Sequence, residues 1–110
     1  MINNFTVFIT DLRNAKEYTL RKAASKLHVS APFLSDLEKG NRLPSRKTLD
    51  AIIDLYSLDE EGKRKLYDAE AEARDDIPQD VKDFLKTNKD AMKSVIEMMS
   101  KQKVLAKKNN

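Results

Sequence analysis

Cysteine is absent from this chain, so disulfides and thiol chemistry are excluded, and redox says nothing about the compartment. Glycine and proline are scarce, at two and three residues in 110, and 35% of the residues are charged. That balance points to a helical protein with few turns. The single histidine, His28, has no second His or Cys to complete a metal site or a nucleophilic centre, so it reads as a turn residue. No nucleophile–base constellation occurs elsewhere, and neither enzyme activity, nor a metal, nor any other cofactor is expected. No apolar run approaches the ~20 residues of a membrane span. The N-terminal "MINNFTVFITDLR" lacks the charged region and long apolar stretch of a signal peptide. A cytoplasmic chain without membrane association is the expectation.

What is present is charge, unevenly distributed. Residues 1–58 carry nine Lys/Arg against six Asp/Glu, residues 59–76 four against eight, and residues 77–110 eight against four. A polyanion-binding face would therefore lie in the first segment or the last.

Apolar spacing predicts the helices. Phe5, Phe8, Ile9 and Leu12 give a first helix over about residues 4–15. Leu20, Ala23, Ala24 and Leu27 give a second, with Thr19 as N-cap. Ser30 caps a third that carries Leu34 and Leu37; Pro32 lies in its first turn, and Gly40 ends it. Ser45 opens a fourth with Leu49, Ile52, Ile53 and Tyr56 on one face. "SLDEEGKRKLYDAEAEA" is a weakly apolar fifth, whose opening acids Asp59, Glu60 and Glu61 complement the helix dipole. "DDIP" breaks it, and two further helices follow in "QDVKDFLKTN" and "KDAMKSVIEMMSKQKV". The tail "AKKNN" reads as disordered.

The second and third helices are joined by about three residues and must cross steeply. Their backbones then approach closely, which requires small residues such as Ala23 and Ala24. Val29 fills the gap in the turn, and Leu34 and Leu37 anchor the second helix. This is the spacing of a helix-turn-helix. The turn needs a left-handed residue; here the position falls on His28, a residue type that tolerates this conformation better than most.

"YTLRKAASKLHVSAPFLSDLEKGNRLPSRKTL" resembles the lambda-repressor-like (Xre type) helix-turn-helix transcriptional regulators, over roughly residues 5–58. The "VS…LS.LE.G…P" run, the small residues of the first helix and the following "S…TL" fall in register. The resemblance implies an all-α, five-helix DNA-binding domain that works as a homodimer on a two-fold operator. It also implies that Ala31, Pro32, Ser35 and Asp36 meet base edges in the major groove. A methyl group or proline ring can pack on the thymine methyl, and Asp36 can accept from a cytosine amino group. Lys39, Asn41, Arg42, Arg46 and Lys47 would grip phosphates, where outside a DNA context they would be a solvated loop. Ser30 would present its hydroxyl and free backbone amides to another phosphate. Phe33 either edges the core or lies against the DNA backbone. In the family the positions of Arg13 and Glu38 often form an ion pair joining two helices, which is expected here. Two departures stand out. His28 replaces the usual Gly, and Leu20 stands where many members carry a phosphate-contacting Gln.

The expected domains are residues 1–74, the helix-turn-helix domain, and residues 77–106, a C-terminal helical segment for dimerisation. The segment is too short for a sensor domain. Its apolar set, Phe84, Leu85, Met92, Val95, Ile96 and Met99, exceeds what one small domain can cover, so a dimer seam is the preferred use. The expected function is a dimeric repressor on double-stranded DNA. The alternative is an antitoxin-type protein whose C-terminal helices hold a protein partner.

Overall fold

The computed structural model describes residues 2–108, with side chains through residue 103. The chain is all-helical, with seven α-helices and no strand among the described residues. It divides into two compact units, Met1–Pro78 and Gln79–Asn110.

The first unit holds five helices: α1 (Asn4–Ala15), α2 (Leu20–Leu27), α3 (Ala31–Lys39), α4 (Arg46–Leu55) and α5 (Glu60–Arg74). Each begins on a local polar cap that satisfies an otherwise orphaned backbone amide. Thr19, Ser30, Ser45 and Asp59 accept from the amides of Lys22, Phe33, Thr48 and Gly62. At the head of α1 the bonding is reciprocal. The Thr6 amide donates to the Asn3 side chain at 3.0 Å, and the Asn3 amide donates to the Thr6 hydroxyl at 2.8 Å.

Three of these helices end on left-handed residues. Gly40 (φ 78) closes α3 and Asp75 (φ 57) closes α5. His28, at φ 60 and ψ 39, closes α2, and the Val29 amide behind it donates to the Ala24 carbonyl at 3.0 Å. A Cβ in this conformation costs about 1–2 kcal/mol, against about 0.5–1 kcal/mol of extra unfolded-chain entropy for glycine. His28 is exposed and adds little packing. His28→Gly should therefore raise thermal stability by up to about 1 kcal/mol, while His28→Val should lower it. A His28→Gly protein that melts below wild type would mean that the imidazole contributes more than its strain costs.

The apolar stripes of all five helices meet in one core of Phe5, Ile9, Ala23, Ala24, Leu27, Leu34, Leu37, Leu49, Ile52, Leu66 and Ala69. α1 packs on α3 and α5, and α2 packs on α3 and α4. α5 also takes a charge inside. Glu70 is completely buried and bonds Arg74, one turn on, at 2.7 Å.

The second unit pairs α6 (Gln79–Thr87) with α7 (Lys89–Lys108). Asn88 starts α7, its side chain accepting from the Ala91 amide at 2.9 Å. The tail expected to be disordered is in part helical. Residues 106–108 continue α7, because the helical pattern meets no Gly, Pro or cap residue that would stop it. Asn109 and Asn110 lie outside the described residues.

Candidate nucleic-acid interface

Ala23 and Ala24 are buried at the crossing of α2 and α3, where larger side chains would hold the two backbones apart. Leu34 and Leu37 root α3 in the core, and Val29, half-buried, packs against the same core from the turn. With that face committed inward, the opposite face of α3 is presented outward. Pro32 and Lys39 are exposed; Ala31, Ser35 and Asp36 are half-exposed. This surface offers methyl and ring carbons, one hydroxyl and one carboxylate, with a cation at its C-terminal end.

Ser30 is exposed at the head of α3, but its backbone offers less than expected. Its hydroxyl oxygen already accepts from the Phe33 amide at 3.1 Å, and Pro32, the second helical residue, has no N–H. A free cluster of amides is therefore not present in this first turn. The Ser30 hydroxyl proton can still be donated.

At the other end Gly40 turns the chain, and the Asn41 amide donates to the Asp36 carbonyl at 2.9 Å. Asn41, Arg42 and Leu43 follow, exposed, and Ser45 then caps α4, whose first residues Arg46 and Lys47 are also exposed. The chain from Lys39 to Lys47 thus carries four cations beside the outward face of α3. Leu20, at the head of α2, is half-buried and lines an open groove of about 330 Å³ with Ile2, Val7, Ser35 and Lys39. Leu20 thus adds apolar surface at the head of α2.

One ion pair ties α3 to α1. Arg13 Nε donates to Glu38 Oε2 at 2.7 Å and Nη2 to Oε1 at 2.9 Å, a bidentate fork. Arg13 Nη1 also donates to the Tyr18 carbonyl at 2.9 Å. The side chains are 16% and 9% exposed. The Glu38 hydrogen bonds raise the Arg13 pKa further, outweighing the opposing effect of burial. Tyr56 lies nearby: burial pushes its phenol above the usual range, with Glu38 adding to the effect.

Some features escaped the sequence reading. Lys22 and Lys26 both lie over the Tyr18 ring, at 5.2 and 5.4 Å from its centroid. The i, i+4, i+8 spacing of Tyr18, Lys22 and Lys26 was the available signal. Glu70 had no signal, since "AEAEA" on a charged helix reads as a solvated face.

In the second unit, Phe84, Met92, Ile96 and Met99 of the expected seam are exposed, and Leu85 and Val95 are half-exposed. Leu85, Met92 and Ile96 line a groove of about 520 Å³ together with Lys86, Lys89, Lys93 and Glu97. Among the described residues, no helix is long and apolar enough to cross a membrane.

Residues 5–66, more than half of the chain, match the family described as a helix-turn-helix domain. The chain is 34% identical over 50 residues to the HTH-type transcriptional regulator DdrOP3 of Deinococcus deserti, a stretch covering 46% of this chain and 39% of that protein. It is 43% identical over 51 residues to the ImmF control region 10 kDa protein of Bacillus phage phi105, covering 46% of this chain and 57% of that one. The chain thus spans less than two thirds of the length of these curated relatives. No solved structure gives a significant match.

Proposed function

This chain belongs to the Xre-type helix-turn-helix family, and we propose that it is a sequence-specific DNA-binding transcriptional regulator, a dimeric repressor of a two-fold operator. The observation that carries the reading is the outward face of α3, flanked by the cationic segment from Lys39 to Lys47. Ala31, Pro32, Ser35 and Asp36 would meet base edges in the major groove, while Ser30, Lys39, Asn41, Arg42, Arg46 and Lys47 would bind phosphates. Short side chains on the reading face make each half-site weakly discriminating. Two linked half-sites are then needed for useful specificity, which supports a dimer. The exposed apolar side chains of α6 and α7 are the surface available for it.

Selection of bound sequences from a random duplex pool tests this reading, with a two-fold symmetric site as the expected product. Arg42→Ala and Lys47→Ala should weaken binding to all sequences and each lower the salt slope by about one. Asp36→Ala should leave the slope alone and relax one base position per half-site. An unchanged selected sequence would remove Asp36 from the readers.

The apolar groove of the second unit supports a second reading, in which an antitoxin-type protein holds a protein partner there. A stoichiometric second protein that co-purifies and is released by substitutions at Met92 or Ile96 would favour it.

A further inference from the structure

Arg42 is held at both ends. Gly40 in the left-handed conformation, with the Asn41 amide bonded to the Asp36 carbonyl at 2.9 Å, fixes where its side chain begins. At the other end, its guanidinium carbon lies 5.1 Å from the centroid of the Phe33 ring, in the first turn of α3. Phe33 is itself anchored: it packs against the core, and its amide donates to the Ser30 hydroxyl at 3.1 Å. The Arg42 charge is thus drawn back from the loop, along the helix, towards the turn that carries Ala31 and Pro32.

The chemistry of this contact leaves Arg42 able to bind. A guanidinium over an aromatic ring is attracted to the ring's electron-rich face, whereas its N–H groups lie in its own plane. They stay available for a bidentate grip on phosphate, which a carboxylate partner would have taken up. A long cation normally loses rotamer freedom when it binds, and a side chain already held in place loses less.

We propose that Phe33 is a positioning residue for nucleic-acid binding: it holds the Arg42 guanidinium beside the reading turn, ready to grip one backbone phosphate. The proposal rests on the DNA-binding reading and adds to it a residue that acts through Arg42. A phosphate contact does not depend on sequence, so the probe is a labelled random-sequence duplex at low salt, titrated with the full chain. Phe33→Leu, which keeps apolar packing but removes the ring, should weaken binding about two- to fivefold. Phe33→Tyr keeps the ring face and should bind like wild type. Arg42→Ala should weaken binding further, and in that background Phe33→Leu should cause no additional loss. Independent, additive losses, or a Phe33→Tyr protein as weak as Phe33→Leu, would overturn the proposal while leaving DNA binding intact. A wild-type protein that binds no duplex would overturn both. Should Phe33→Leu not fold, Arg42→Lys carries the test, since it keeps the charge but not the planar fork. Binding reduced towards that of Arg42→Ala supports the proposal, and binding equal to wild type overturns it.

Discussion

Replacing Arg13 with alanine should lower the melting temperature by roughly 10–20 °C, corresponding to about 3 kcal/mol in a domain of this size. The substitution strands two groups. Glu38, only 9% exposed, loses both arms of its bidentate partner, and the Tyr18 carbonyl loses a donor. The residual exposure of the pair keeps the cost at the lower end of the range for buried pairs. Glu38→Ala should cost less, because Arg13 keeps its bond to the Tyr18 carbonyl and has a longer stem with which to reach water. The double substitution should cost less than the sum of the two, as expected for groups in one network. A melting temperature unchanged by Arg13→Ala would reduce the pair to a surface contact.

A chain ending at Pro78 should fold, remain monomeric and bind a two-fold operator about 10²–10⁴-fold more weakly than the full chain. The apolar residues exposed on α6 and α7 motivate this expectation. Burying one such side chain is worth about 1.5–3 kcal/mol, so several on each copy can exceed the cost of association. The structure also places the cut. A boundary at residue 74 would put Arg74, the partner of buried Glu70, at a fraying terminus. It would also remove the bond from the Asp76 amide to the Ala71 carbonyl, 2.9 Å long, that closes α5. Ending at Pro78 keeps both. Sedimentation decides the outcome: a stable dimer of the shortened chain places the seam in the first unit, and an unfolded product makes α6 and α7 necessary to its stability.

The helices of the first unit were legible because their signals are local. Thr19, Ser30 and Ser45 cap within three residues of themselves, and Gly40 and His28 stop helices through their own dihedral angles. The Leu, Ile and Ala stripes were legible for the same reason, since their period is a property of the helix alone. Capping went unread at the head of α1, where Asn3 and Thr6 form the reciprocal pair with Thr in the place of the usual Glu or Gln.

The sequence by itself determined an all-α chain, the α2–α3 pair with its outward residues, and a last segment with more apolar surface than it can cover. Local hydrogen bonds and helical periodicity suffice for each of these. Tertiary structure alone decided that Glu70 is buried, that Tyr18 collects two lysines, and that the exposed Arg42 side chain lies over the Phe33 ring. Long polar side chains have many rotamers of nearly equal energy. Which one is populated depends on neighbours contributed by other turns and other helices.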